Sequence, residues 1–334
     1  MTILVTGARG WLGRAVCGQL QREGHRVLAL DVGGRGPGPW VQYVSGDIST
    51  DGIFGDAIIR VLAATDSVIH CAGYAHRPRE TPVEVARFWS INRDGTRRVL
   101  ELARQIGAQR FVYLSSIAFY DWSVAGPRGE EAPLLAPTAY AGSKLAGERY
   151  CVDSCLDWRV ARLGTVYGSG DRANFAKLAQ AQGRRRFVLP GCGSARKSVL
   201  PLDLAAELLV DLAVRPTVPH RLVNLALPEP PSLREICAGF ASTCGLPKPW
   251  SLPESWLRLL ARLGDRIEQR RPGFPLTTLN LHKLTTSTVV DTRRMQENWP
   301  DRRWGSFQDW LAPAAGYYRQ LVESRGKHGG GSAV

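Results

Sequence analysis

Residues 1–31 constrain the fold of this chain more than any other stretch. Met1 to Thr6 (MTILVT) is a short apolar run of the length a buried parallel strand needs. Gly7, Gly10 and Gly13 follow at once, spaced G-x-x-G-x-x-G. Trp11 to Gln21 reads as a helix, with Leu12, Ala15, Val16 and Leu20 along one side. His25 to Leu30 (HRVLAL) is a second strand, and Asp31 ends it.

Strand, glycine turn, helix, strand and acid together form the dinucleotide-binding arrangement. Glycines permit a tight turn and a close approach of backbone to pyrophosphate. The helix start offers free N–H groups and a positive dipole end to the phosphates. The candidate contacts are Gly7, Gly10, Trp11, Leu12 and Gly13. Asp31 can bind the adenosine ribose hydroxyls and would repel a 2′-phosphate, which favours NAD over NADP. Arg9 and Arg35 pull mildly the other way. The spacing departs from G-x-G-x-x-G, and glycines alone would mark only a turn. The flanking strands and Asp31 give them their meaning.

The alternation continues, so the expected fold is α/β, a Rossmann-type doubly wound parallel sheet. Trp40 to Val44 is strand-like and leads into Asp47-Ile48, an acid and an apolar residue that could hold an adenine. Asp66 to Cys71 (DSVIHC) is the next strand. It runs into Ala72-Gly73, where small residues let a cofactor lie across the strand end. Phe88 to Ile106 reads as one long helix containing Asn92, which suits a backbone-binding role better than substrate contact. Arg110 to Leu114 (RFVYL) delivers Ser115-Ser116 at the C-terminal edge, where open α/β sheets place their sites. Pro137 to Tyr150 carries Tyr140 and Lys144, four apart and so on one helix face. A lysine ammonium near a phenol favours the phenolate and makes it a usable base near neutral pH. Trp158 to Leu163 (WRVARL) is another strand.

Beyond residue 165 the pattern is less regular. Helices are expected at Phe175–Gln182, Leu202–Val214 and Ser232–Thr243, the last with Ser232 and Glu235 in capping-box spacing. Short strands are expected at Phe187–Leu189 and Arg221–Leu225. The expected division is a dinucleotide-binding domain over 1–165, with further pieces near 200–225. A discontinuous, mainly substrate-binding part covers 166–323, and 324–334, with three consecutive glycines, reads as a disordered tail.

Taken in order, these motifs resemble the extended short-chain dehydrogenase/reductases, in particular the NAD-dependent epimerase/dehydratase family and its nucleotide-sugar epimerases and reductases. The likeness covers nearly the whole chain. It runs from Thr6-Gly7 through Asp31, Asp47-Ile48, His70 to Gly73, Asn92, Ser115-Ser116 and Tyr140-x-x-x-Lys144. It continues through Arg162, Tyr167-Gly168, Asn174-Phe175, Arg196, Asp203 to Ala205, and Asn298-Trp299-Pro300. The resemblance implies a smaller α/β C-terminal domain over the cofactor cleft and a homodimer through two long helices. It makes Tyr140 the acid/base, and has Lys144 lower its pKa and hold the nicotinamide ribose. Ser116, counted back from Phe119-Tyr120, would hydrogen-bond the reacting oxygen, and Ser115 would be structural. Asn174 and Arg196 match diphosphate positions, and Lys283 could stand in for a second arginine. His76 and Ile117 would line the substrate pocket, while His70 and Arg162 suit structural roles. Ile117-Ala118 stands where dehydratases carry Asp-Glu, so a 4,6-dehydratase is disfavoured.

The pattern is most similar to bacterial surface-polysaccharide enzymes that act at C4 of UDP-N-acetylhexosamines. The implied activity is a UDP-hexose 4-epimerase with NAD. A 4-ketoreductase of a 4-keto-6-deoxy nucleotide sugar, or a reductase of a non-sugar carbonyl, would use the same residues.

The net charge of +13 is mostly arginine, concentrated at Arg184–Arg186 and Arg270-Arg271. It fits a solvated basic surface, attraction of an anionic sugar nucleotide, or contact with anionic lipid. Trp256 to Ile267 alternates apolar residues and arginines at helical spacing, which makes it the candidate for weak membrane-surface contact. No nucleic-acid-binding module is visible. No run of 18 apolar residues suggests a membrane span, and the N-terminus opens on a strand rather than a leader. Seven cysteines, an odd number without metal-ligand spacing, fit reduced thiols in a cytoplasm and no bound metal.

Overall fold

A computed structural model describes residues 1–33, 38, 41–75, 80–271 and 273–323. Arg35, His76 and the 324–334 tail lie outside the described residues. The strands are β1 (Thr2–Thr6), β2 (Arg26–Asp31), β3 (Gln42–Ser45), β4 (Ser67–His70), β5 (Arg110–Ser116) and β6 (Asp157–Leu163). Then come β7 (Thr165–Tyr167), β8 (Val188–Pro190), β9 (Val199–Pro201), β10 (Leu222–Leu225) and β11 (Trp250–Leu252).

Seven of these form one parallel sheet in the order β10-β6-β5-β4-β1-β2-β3. Helices cover both faces, so the central strands are buried on both sides and read as unbroken apolar runs. Ile3, Leu4 and Val5 are fully buried. The strand order reverses between β1 and β4, which opens a crevice at their C-terminal ends. The glycine turn, Cys71 to Gly73 and Ser115-Ser116 all sit at that edge.

The Trp11–Arg22 helix buries Gly13, Val16, Cys17 and Leu20 at i, i+3, i+4, i+7, so of the expected side Val16 and Leu20 are buried while Leu12 and Ala15 are only half-buried. It packs against the Leu202–Val214 helix. One apolar core runs from Ile3 through Val210 to Tyr318, so residues late in the chain help to bury the first helix. Ser232 and Glu235 form the expected capping box on Leu233–Cys244, and Gly245 closes that helix in the left-handed region.

Two regions differ from the sequence expectation. The helix expected to start at Phe88 begins at Pro82, with Thr81 as its cap, and continues to Gln105. Its middle turn, Trp89–Gly95, is wound as a π-helix. A β-carbon on Gly95 would stand 2.9 Å from the Ile48 side chain, so this turn needs a glycine where it meets the end of β3. Two small parallel pairs, β7–β9 and β8–β11, also form in the later part of the chain, and of their four strands only β8 overlaps an expected one, Phe187–Leu189. Three-residue strands are too short to show a period of two. Among the described residues, no helix is long and apolar enough to cross a membrane.

Candidate active site

The glycine turn is shaped by contact with β4. Gly7 has φ +66°, and a β-carbon there would stand 2.6 Å from the Ala72 backbone. A β-carbon on Gly13 would lie 2.1 Å from the Gly7 carbonyl oxygen. Gly10 caps the helix with no side-chain partner, which leaves the first amides open. Asp31 accepts from the Arg9 amide at 2.8 Å and the Val32 amide at 2.7 Å, and so ties the end of β2 to the glycine turn. The Trp11 indole donates to the Ser169 carbonyl at 2.7 Å, tying the helix start to the loop after β7. Asp47 caps its own turn through Ser49, and Ile48 is buried against Gly95.

Ser116 ends β5 and Tyr140 begins the second residue of the Ala139–Val152 helix. Burial raises the Tyr140 phenol above its usual range, and a hydrogen bond with Ser116 opposes that rise. The Ser116 Oγ also accepts from the Ala118 amide at 3.1 Å. Lys144, one turn on, is 6% exposed. Its ammonium lies 4.4 Å from the centre of the Tyr113 ring. Burial pulls its pKa from 10.5 to about 8, against the opposing influence of Cys71 and Glu148. Desolvation dominates the phenol, Ser116 is what opposes it, and the ammonium is held over Tyr113.

A model of the NAD dependent epimerase/dehydratase family matches residues 3–214. The chain belongs to this family. As a member of it, the protein is an NAD-dependent enzyme. It is 30% identical over 320 residues to a 3-diazoavenalumate denitrifying reductase of a Streptomyces species, covering 90% of this chain and 95% of that one. It is 27% identical over 271 residues to a UDP-glucose 4-epimerase of Streptomyces lividans, covering 74% of this chain and 82% of the relative. An uncharacterised protein of Sinorhizobium fredii is 30% identical over 174 residues, which span 51% of this chain and 42% of that protein. Among solved structures, MoeE5 in complex with UDP-glucose and NAD has the same fold. It aligns with a TM-score of 0.72 at 22% identity over 96% of this chain and 100% of that one.

The epimerase/dehydratase enzyme has a cradle that fits NAD. The glycines let the turn fold tightly on itself and against the Ala72 backbone, and the amides at Gly10 and beyond lack side-chain caps, so they are open to a phosphate. A β-carbon on Gly73 would lie 3.4 Å from Asn92 Oδ1 and 3.8 Å from Lys144 Nζ, so a small residue stands beside the lysine. Gly7, Gly10, Trp11, Leu12, Gly13 and Asp31 would hold the adenosine diphosphate half, and Gly73 and Lys144 the nicotinamide half.

Asn92, expected to bind backbone, does so. Its Oδ1 accepts from the Tyr74 amide at 2.7 Å, and its Nδ2 donates to the Tyr74 carbonyl and to Ser143 Oγ, both at 3.0 Å. It thereby fixes the loop after β4 against the Ala139–Val152 helix. His70 is fully buried between Thr6 and Thr96. Thr96 spends its proton on the Asn92 carbonyl, so it accepts from His70 Nε2–H and leaves Nδ1 to accept from Thr6. Burial, helped by Lys144, lowers the His70 pKa to about 3, so the ring is neutral and structural.

Ser115 and Arg162 are structural too. Ser115 Oγ donates to Glu148 Oε2 at 2.5 Å, and Arg162 pairs with the same carboxylate while donating to the Tyr120 hydroxyl at 2.7 Å. All of these groups are buried.

The expected diphosphate residues are not joined to Ser116, Tyr140 and Lys144 by any contact among the described residues. Asn174 is exposed at the start of its helix, where Asp171 supplies the cap. Arg196 donates to the Pro230 carbonyl at 2.8 Å and lies 3.8 Å from Glu235. Lys197 donates to the carbonyls of Lys283 and Thr286, so Lys283 contributes its backbone to that knot.

Sequence reasoning missed Tyr43, whose hydroxyl bonds to the carbonyls of Asp31 and Gly33 at the adenosine end. It also missed Glu80, whose carboxylate accepts from the Ala139 and Tyr140 amides at 3.1 and 3.3 Å. An acid sixty residues ahead of the helix it caps carries no local signal.

Proposed function

We propose that this enzyme acts at C4 of a nucleotide sugar as a UDP-hexose or UDP-N-acetylhexosamine 4-epimerase. Bound NAD supplies the acceptor and donor for a hydride. Tyr140 removes the O4 proton and returns it once the sugar has turned over. Ser116 holds the reacting oxygen and, through its hydrogen bond, favours the phenolate form of Tyr140. Lys144 supplies positive charge beside the nicotinamide ribose.

The observation that carries this reading is the grouping of Ser116, Tyr140 and Lys144 at the crevice edge of β5, beside Gly73 and the glycine turn. On the substrate side the reading assigns His76 and Ile117 to the sugar, and Asn174, Arg196 and Lys283 to the diphosphate. It treats residues 166–323 as the part that covers the cleft. A homodimer would use the Thr96–Gln105 and Ala139–Val152 helices. The odd number of cysteines supports a reducing cytoplasmic setting.

A second reading, a reductase of a non-sugar carbonyl using NAD(P)H, has its own support. One relative, matched over 90% of this chain and 95% of its own length, is a reductase. Arg196 also already has a carbonyl and a carboxylate as neighbours. The two separate experimentally. Protein purified without added cofactor is incubated with UDP-glucose and with UDP-N-acetylglucosamine, and the products are resolved by chromatography. The C4 epimer is the expected product. No epimer, with NAD(P)H consumed on a 4-keto sugar nucleotide, makes the enzyme a 4-ketoreductase. Inertness toward every sugar nucleotide overturns the sugar assignment.

A further inference from the structure

The Glu254–Arg270 helix presents its apolar residues to the outside. Leu257, Ala261 and Gly264 face inward. A β-carbon on Gly264 would lie 1.8 Å from the Leu276 carbonyl oxygen, so the helix is clamped against the following segment and cannot roll. Asp265 accepts from the Thr278 amide and hydroxyl, each at 2.9 Å, and Glu268 accepts from the Gly273 and Phe274 amides. Those bonds fix the same orientation. What remains outside is Trp256, Leu259, Leu260, Leu263 and Ile267, which recur at i, i+3, i+4, i+7 and i+11 as one stripe. Trp256 is 66% exposed, and Trp250, on the strand just before the helix, is 75% exposed.

A row of arginines runs beside that stripe. Arg258, Arg262, Arg266 and Arg270 follow one another at every fourth position and are all exposed. The three acids of the helix are engaged elsewhere, since Glu254 pairs with Arg258 while Asp265 and Glu268 bond backbone groups. Arg262, Arg266 and Arg270 make no salt bridge among the described residues. The outward charge of the helix is therefore positive.

We propose that this face docks on the surface of an anionic phospholipid bilayer. A helix lying in the plane of a bilayer buries an apolar stripe at the headgroup boundary and places flanking cations among the phosphates. Arginine can keep its stem in the apolar layer and its guanidinium in the headgroups. Tryptophan is favoured at that depth, and Trp250 and Trp256 stand where the helix begins. Charge complementarity selects the occupant, because a neutral apolar partner would leave three cations without counter-charge. The inference is independent of which substrate the enzyme uses.

The full chain is tested by cosedimentation with vesicles of phosphatidylcholine alone and of phosphatidylcholine mixed with phosphatidylglycerol, at low and high salt. Binding is expected only to the mixed vesicles, weakened by salt, and lowered about fivefold for each arginine replaced by glutamine at 262, 266 and 270. The Leu259→Asp/Leu263→Asp variant is expected to lose binding while keeping its circular dichroism spectrum and its NAD affinity. Equal binding to both vesicle types, or none to either, overturns the proposal. So does a change of oligomeric state in the Leu259→Asp/Leu263→Asp variant without vesicle binding by the parent, which would make the face a contact between copies of this chain.

Discussion

Tyr113 carries Lys144 in two ways. Its ring lies 4.4 Å from the ammonium, and its hydroxyl donates to the Lys144 backbone carbonyl at 3.0 Å. The lysine is thus held from below and kept out of water, and its burial pulls its pKa from 10.5 to about 8. The sign of the stability effect follows. Below about pH 8 the ammonium is charged in both folded and unfolded chains, and the folded state bears the cost of burying it. Between about 8 and 10.5 the unfolded chain keeps a proton that the folded one has released, so stability rises with pH across that window. Lys197, also lowered to about 8 by burial, contributes in the same direction. Urea unfolding of the cofactor-free protein between pH 7 and 10 checks this. Lys144→Met is expected to remove about half of the rise and to be more stable than the parent at pH 7, by on the order of 3 kcal/mol, while losing activity.

Ser116 and Tyr140 form the second test. Under the proposed function Tyr140→Phe removes the proton carrier, and kcat/KM should fall by about 10²–10⁴ with little change in melting temperature. Ser116→Ala removes the hydrogen bond that opposes desolvation of the phenol. Its kcat should fall roughly 10²–10³-fold, and the pKa seen in the pH profile of kcat should move upward. A purely structural serine would lower activity without moving that pKa.

Gly7→Ala addresses the cradle. The substitution asks alanine to adopt φ +66° and to place its β-carbon 2.6 Å from the backbone of Ala72. The left-handed conformation alone costs about 1–2 kcal/mol, and the contact forces β1 and β4 apart at the turn. Thermal melting should show a destabilised protein. Fluorescence titration should show NAD binding weakened by more than the loss of stability accounts for.

Most of the dinucleotide half was legible from the sequence because its signals are local. Thr2–Thr6, Trp11–Arg22 and Leu202–Val214 each carry their own apolar pattern, and Gly7, Gly13 and Asp31 announce a turn that only small residues and an acid can make. Tyr140 and Lys144 were legible through their spacing on one helix. The neighbours that set their chemistry were not, because they arrive through the sheet. Tyr113 comes from β5, Cys71 follows β4, and Glu80 lies sixty residues before the amide it caps. Burial, the first cause acting on the Tyr140 phenol, is likewise invisible in the spacing of two residues. Past residue 165 the elements shorten and rely on distant partners. Lys197, for instance, is held by the carbonyls of Lys283 and Thr286 more than eighty residues away.

The buried pair of Glu148 and Arg162 gives the last prediction. Glu148 lies one turn beyond Lys144 and accepts from both Ser115 and Arg162, while Arg162 also donates to Tyr120 and to the Glu130 carbonyl at 2.7 Å. Neither member can be removed without leaving a buried group unmatched. Arg162→Met or Glu148→Gln alone should therefore destabilise the fold by about 3–5 kcal/mol, the double variant by much less than the sum. Ser115→Ala should cost only about 1–3 kcal/mol, because Glu148 keeps Arg162. Chemical unfolding of the four variants gives the coupling energy directly. Additive losses for Glu148→Gln and Arg162→Met would mean that the two residues do not act as a pair. Retained turnover of the Ser115→Ala variant would leave the chemistry to its neighbour Ser116.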